Sequence, residues 1–272
     1  MNKITAFFFL IIFNLSFSQI EDNKYYAKQE TVKINSQVFK KEREIEIFYP
    51  DEYFREPERK FKVVYLFDSQ NLRIFNFVNG TIQYVSMNEV EPLIVVGICT
   101  EDRWFEFLTK NNHEETLKEY EPPIGGADIL IQHIELEIEP YIKQNLRTQD
   151  YRIAIGHSLG ATFAMYASIK SEKLFDYSIL ISPNFYYDKE QNVDLIKNYL
   201  DSNSSKIRKY YLCNGFGDMY ENKFSPALKK VVKLFRKNKN KNIVFKYEKL
   251  NINSHGKTLL EGVYKGLLNL KK

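Results

Sequence analysis

The chain has 272 residues, of which 44% are hydrophobic, 15% aromatic and 27% charged, with a formal net charge of +4. These proportions are those of a globular protein with apolar material for one large core, and they exclude a disordered or fibrous chain. So small an excess of positive charge gives no basis for a nucleic-acid partner, which needs clustered cations to neutralise phosphates.

The first residues read Met1-Asn-Lys3, then a nearly continuous apolar run from Ile4 to Phe13, then Asn14-Leu-Ser16-Phe-Ser18. One positive charge, a short apolar stretch and small residues at 16 and 18 predict a signal peptide over 1–18, cut after Ser18. A membrane span needs about 20 apolar residues, and this run falls short of it. The mature chain, 19–272, is then expected as a single domain in the periplasm or secreted. No cysteine follows the cut, so no lipid anchor is implied, and loss of Lys3 leaves 38 basic against 35 acidic residues.

Glu30 to Phe39 and Arg43 to Phe48 alternate apolar and polar residues, which predicts an antiparallel pair at a sheet edge. After Pro50 the strands become short continuous apolar runs, the pattern of strands buried on both faces of a parallel sheet. They are Val63 to Phe67, Leu93 to Ile98, Arg152 to Ile155, Tyr177 to Ile181, Lys209 to Leu212 and Asn242 to Tyr247. Helical patterns lie between them at Ala127 to Asn145, Leu159 to Ile169, Pro226 to Lys237 and Lys257 to Leu268. Strand and helix alternate, so the fold class is α/β. The basic run Lys229 to Lys241 carries Val231, Val232, Leu234 and Phe235 at helical spacing, which reads as the hydrated face of an amphipathic helix. No metal site is expected: His113-Glu114 opens an H-E-x-x-H pattern, but Leu117 stands at the second histidine position.

At Arg152-Ile-Ala-Ile-Gly156-His157-Ser158-Leu159-Gly160 an apolar strand runs into G-x-S-x-G and then into a helix. That is the setting in which a serine on a sharp, strained turn projects above a sheet as a nucleophile. The helix N-terminus beneath Ser158 favours a developing oxyanion, and the amide of Leu159 is one expected donor. A second is expected from the loop Asp68-Ser69-Gln70-Asn71-Leu72, without a choice among its amides.

A serine hydroxyl needs a base, usually histidine. Of the four histidines, His157 is locked beside the serine, His133 lies within a helical pattern and His113 in a polar loop. His255, after the last strand, is the expected base. The acid should come from Cys213-Asn-Gly215-Phe-Gly217-Asp218-Met-Tyr-Glu221, where two glycines permit a tight turn. Asp218 is the first choice and Glu221 the alternative. Thr100 to Gly126, with Arg103, Trp104 and Phe105, is expected to lie over the carboxyl ends of the strands and to shape a substrate pocket. No cofactor is required for this chemistry.

The chain resembles the esterase group of α/β-hydrolases that includes siderophore esterases of the enterobactin type, S-formylglutathione hydrolases, feruloyl esterases and mycolyltransferases. The resemblance rests on Arg43-Glu-Ile-Glu-Ile-Phe-Tyr-Pro50, Val64-Tyr-Leu-Phe-Asp68-Ser-Gln-Asn71, Ile94-Val-Val-Gly-Ile98 and Gly125-Gly-Ala-Asp128. It extends through Glu139-Pro-Tyr-Ile142, Gly156-His-Ser-Leu-Gly160, Phe175-Asp176 and Ile181-Ser-Pro-Asn184. It implies an α/β-hydrolase fold, with a mostly parallel sheet of about eight strands and helices on both faces. It also implies a serine carboxylic-ester hydrolase acting on a small-molecule ester, with an acyltransferase or a non-catalytic binding protein on the same scaffold as alternatives. By resemblance the second oxyanion amide is Gln70, and the aromatic segment through Tyr186 forms part of the pocket wall. The family's strand order places Cys99 and Cys213 about four strand spacings apart, too far for a disulfide, so two free thiols are expected.

Overall fold

The computed structural model describes residues 28–202 and 204–271; the expected signal peptide lies outside them. Eight strands form one sheet: β1 (Lys28–Ser36), β2 (Lys41–Tyr49), β3 (Phe61–Phe67), β4 (Leu93–Ile98), β5 (Thr148–His157), β6 (Tyr177–Ile181), β7 (Arg208–Asn214) and β8 (Ile243–Lys249). Their order is β1-β2-β4-β3-β5-β6-β7-β8. The β1–β2 and β2–β4 pairs are antiparallel and every later pair is parallel, as the alternating and then continuous apolar patterns require. This is the expected α/β-hydrolase fold.

Helices cover both faces. One face packs on α2 (Leu72–Ser86) and α9 (Thr258–Leu268), through Phe75, Val78, Ile82, Val85, Val263 and Leu267. The other carries α4 (Ala127–His133), α5 (Glu139–Asn145), α6 (Leu159–Lys170), α7 (Tyr187–Asp201) and α8 (Met219–Lys237). Two short helices, α1 (Asp51–Arg55) and α3 (Arg103–Phe107), stand in loops. From Leu159 to Ser168 helix α6 is buried on all sides, because it is enclosed by the sheet and its neighbouring helices. Helix α8 buries Phe224, Ala227, Leu228, Val231, Val232 and Phe235 and hydrates its lysines, as the amphipathic pattern indicated.

Several elements differ from the sequence expectation, α7 among them, which no pattern announced; three others bear on the packing or the site. Helix α2, which no pattern announced, contains Gly80, Thr81 and two asparagines; its helicity comes from burying one stripe on the sheet, not from propensity. The single helix expected over 127–145 is interrupted by a π segment, Ile134–Ile138. There Glu137 accepts hydrogen bonds from Ser36 Oγ and from the amides of Gln37 and Val38 at 2.5, 2.6 and 3.0 Å, tying the helix to the β1–β2 turn. Helix α8 starts seven residues before Pro226, at Met219, which moves Glu221 from an expected loop into its first turn.

Cys99 and Cys213 are both free thiols. They lie at β4 and β7, with β3, β5 and β6 between, so the separation expected from the strand order is the one observed. Burial pushes the Cys99 thiol up to about 12.

Candidate active site

The parallel strands β3 to β8 end on one edge of the sheet. Asp68, Ser158, Ser182, the 215–221 loop and His255 follow the carboxyl ends of β3, β5, β6, β7 and β8, so five loops meet there.

Ser158 joins β5 to α6 with φ 57° and ψ −119°, a left-handed conformation that costs a non-glycine residue on the order of 1–3 kcal/mol. Surrounding structure holds it there. The Ser158 amide donates to Ile181 O at 2.9 Å, and its carbonyl accepts from Thr162 N at 3.1 Å. Gly156 is required by close approach: a Cβ there would stand 2.4 Å from the carbonyl carbon and oxygen of Gly160.

His255 is held from both ends of its backbone. Its amide donates to Asp218 Oδ2. Its carbonyl accepts from His157 Nε2 at 2.9 Å and from Thr258 Oγ1 at 2.5 Å. With the backbone fixed, the ring lies 4.6 Å from His157, 5.4 Å from Tyr220 and 5.5 Å from Phe224, centroid to centroid. Nδ1 pairs with Glu221 Oε1 at 2.8 Å. A carboxylate can only accept, so Nδ1 carries the proton and Nε2 presents a lone pair. That Nε2 is buried and makes no hydrogen bond to any of the described residues, Ser158 included.

The acid paired with the imidazole is therefore Glu221, the alternative, and not Asp218. Asp218 is the N-cap of α8: Oδ1 accepts from Glu221 N at 2.8 Å, and Oδ2 takes the His255 amide. The physical reason is the early start of α8. A capping aspartate turns its carboxylate onto backbone amides, and the residue three positions on is left facing the site. The spacing Asp218-x-x-Glu221 is a helix-start signature legible in the sequence. Burial pushes the Glu221 carboxyl up, but the hydrogen bonds from His255 and Asn214 help to outweigh it and hold the group below its ordinary range. Burial likewise raises Asp218, and the amides of Glu221 and His255 more than reverse the effect.

His157 does more than flank Ser158. Burial, reinforced by neighbouring His255, holds its pKa down to about 4, so at neutral pH it is an uncharged ring donating Nε2–H to the His255 carbonyl. By its place in the sequence it is only the residue locked beside the serine; the partner that gives it a role lies 98 positions away.

In the 68–72 loop, Ser69 N–H donates to Ile98 O and Asn71 N–H to Asp68 O, both at 3.1 Å. Among the described residues the Gln70 N–H between them has no such partner, and the Gln70 side chain is held by Thr100 N at 3.1 Å and by Asp68 at 3.3 Å. Leu159 opens α6 beside Ser158. Of the expected pocket residues, Arg103 forms a two-point ion pair with Asp68 at 2.7 and 3.0 Å. Trp104 packs edge-on against Tyr120, centroids 5.8 Å apart. Tyr186 is 41% exposed, under Lys223, and with Tyr120 it lines a cavity of about 410 Å³. Among the described residues no group of three or more His, Cys, Asp or Glu side chains can hold a metal ion, and no helix is long and apolar enough to cross a membrane.

The family described as "Putative esterase" matches residues 36–251. No curated protein matches the chain. Among solved structures, the chain is similar to an IroE-like serine hydrolase from Shewanella oneidensis, with a TM-score of 0.79 and 21% identity over 89% of this chain and 80% of that one. The BES protein from Bacillus cereus gives 0.74 and 22%, covering 88% and 94%. The siderophore hydrolase EstA from Aspergillus nidulans gives 0.69 and 17%, covering 90% and 95%. At these identities the likeness is one of fold.

Proposed function

Since the chain belongs to the esterase family, we propose that it is a serine carboxylic-ester hydrolase working through an acyl-enzyme, with Ser158 as nucleophile, His255 as base and Glu221 as the acid that orients it. The observation that carries this reading is the 2.8 Å pair between Glu221 and His255 Nδ1, which frees a buried Nε2 lone pair on the loop beside a strained serine elbow.

His255 Nε2 takes the Ser158 hydroxyl proton as Oγ attacks the ester carbonyl. The carbonyl oxygen becomes an oxyanion, stabilised by the amides of Leu159 and Gln70. The imidazolium, stabilised by the Glu221 carboxylate, then protonates the departing alcohol. Water, deprotonated by the same nitrogen, attacks the acyl-enzyme and releases the acid and the free serine. Asp218, His157 and Thr258 hold the backbone of His255 while this happens and exchange no proton with substrate.

The siderophore hydrolase among similar structures makes siderophore-type esters the first to try. The leader-like residues 1–18 support a mature enzyme in the periplasm or outside the cell.

Labelling by a fluorophosphonate probe tests the chemistry. The intact protein should label, and Ser158→Ala should not. Absence of Ser158-dependent label overturns the enzyme reading. A panel of a catecholate trilactone, feruloyl esters and short-chain nitrophenyl esters then ranks substrates by kcat/KM.

A further inference from the structure

We infer that Arg103 is a positioning residue of the oxyanion loop and not a substrate-anion receptor. The inference rests on the proposed acyl-enzyme chemistry for its kinetic consequence, but its structural content stands on contacts alone.

Asp68 follows β3 in a left-handed conformation, φ 67°, with its side chain only 8% exposed. Aspartate is one of the few residues other than glycine that adopt that backbone readily, but its side chain must still be oriented by its surroundings. Arg103 supplies the orientation: Nε and Nη2 grip Oδ1 and Oδ2 at 2.7 and 3.0 Å, a geometry that fixes the carboxylate plane. Asp68 in turn sets the loop that follows. Its carbonyl receives the Asn71 amide, and Oδ1 receives the Gln70 side chain, so the peptide that presents Gln70 N–H is anchored on both sides to one residue.

The carboxylate also lies against the nucleophile elbow, since a Cβ on Gly160 would stand 3.1 Å from Asp68 Oδ2. A bare carboxylate there would oppose negative charge on the substrate oxygen, with little water to screen it. The guanidinium cancels that charge.

Arg103 is itself aimed from below. It opens α3, whose amides at Trp104 and Phe105 are capped by Asp102 at 3.0 Å. The same short helix carries Glu106, 2% exposed, in a buried ion pair with Arg43 of β2 that also binds Cys99 O at 2.9 Å. Glu106 Oε1 receives the Glu101 amide at 2.9 Å. Helix α3 is thus fixed to the sheet at one end and fixes the oxyanion loop at the other. A guanidinium so committed has two of its donors satisfied before any ligand arrives.

Kinetics on paired neutral and anionic esters, with Arg103→Gln, Arg103→Lys and Asp68→Asn/Arg103→Gln, test the inference. Arg103→Gln should lower kcat by about 100-fold on both esters with KM nearly unchanged, the scale of a misplaced catalytic group. Arg103→Lys, which keeps charge but loses the fork, should lie between it and wild type. The double variant should recover about tenfold, because asparagine tolerates the left-handed turn and removes the uncompensated charge. It also keeps the test readable should Arg103→Gln alone fold poorly. A KM increase confined to the anionic ester, with no recovery in the double variant, overturns the inference. Hydrogen exchange supplies a readout that needs no activity: amides of 68–72 should exchange faster in Arg103→Gln than in wild type. Unchanged exchange overturns the positioning role even in an active enzyme. Absence of Ser158-dependent labelling overturns only the reading of the chemistry.

Discussion

The two halves of the candidate site are built in opposite ways. The elbow at 156–160 is made from consecutive residues, and its defining property is local: one strained serine between glycines that let strand and helix backbones touch. The base side is assembled from His255, Asp218, Glu221, Thr258 and His157, carried on β5, α8, α9 and the loops between, and its defining property is a set of hydrogen bonds between distant segments. A strained turn depends on space, whereas a hydrogen-bonded network depends on protonation. The first should fail by steric substitution and the second by changes of charge or pH.

The largest effect expected is on the network. Glu221→Gln should lower kcat by roughly 10³–10⁴-fold with the fold intact, because an amide no longer stabilises the imidazolium or selects the reactive tautomer. Steady-state kinetics beside circular dichroism measure it, and a loss under tenfold would remove Glu221 from the role. On the elbow side, Gly156→Ala places a methyl 2.4 Å from backbone that cannot yield cheaply and should cost about 3 kcal/mol of stability, read by denaturant unfolding. A neutral result there would show that the turn can open.

The pH dependence separates the two halves further. His157 has a folded pKa of about 4 against 6.5 unfolded, so below pH 6.5 the unfolded chain binds a proton that the folded one refuses. Its contribution is complete above pH 6.5 and is lost as the pH falls towards 4, by up to about 3 kcal/mol, levelling off below. His133, also held below its ordinary value by burial, shifts stability in the same direction, so the informative quantity is the difference between wild type and His157→Gln. The variant should show the shallower decline, and parallel curves would break the comparison. The lowered Asp218 and Glu221 act further down, their contributions being present above ordinary carboxyl values and lost as the pH falls through their folded ones. The smallest effect expected is Asp218→Ala, about 1–2 kcal/mol for a lost helix cap, with a modest drop in kcat as the His255 backbone loosens.

The legibility of these parts in the sequence follows the same division. The strands were readable because a strand buried on both faces must be apolar throughout, and the elbow because strand, glycines, serine and helix are contiguous. Helix α2 was not, because its residues have weak helical preference and its apolar stripe matters only once the sheet is beneath it. Asp218 and Glu221 are three residues apart, and the choice between them turned on where α8 begins. The capping spacing was present in the chain, but two glycines upstream suggested a turn that would carry Asp218 to the imidazole.

Sequence by itself determined the α/β class, the edge hairpin, the position of Ser158 and the placement of His255 after the last strand, since each is set by local pattern or by chain order. Only the tertiary structure decided which carboxylate meets the imidazole, that His157 holds the His255 carbonyl, and that Arg103 is spent on Asp68. Those are contacts between segments 34 to 98 positions apart. The direction in which a charged or polar side chain turns among several possible partners is fixed by burial and hydrogen-bond geometry that exist only after the sheet has brought the loops together.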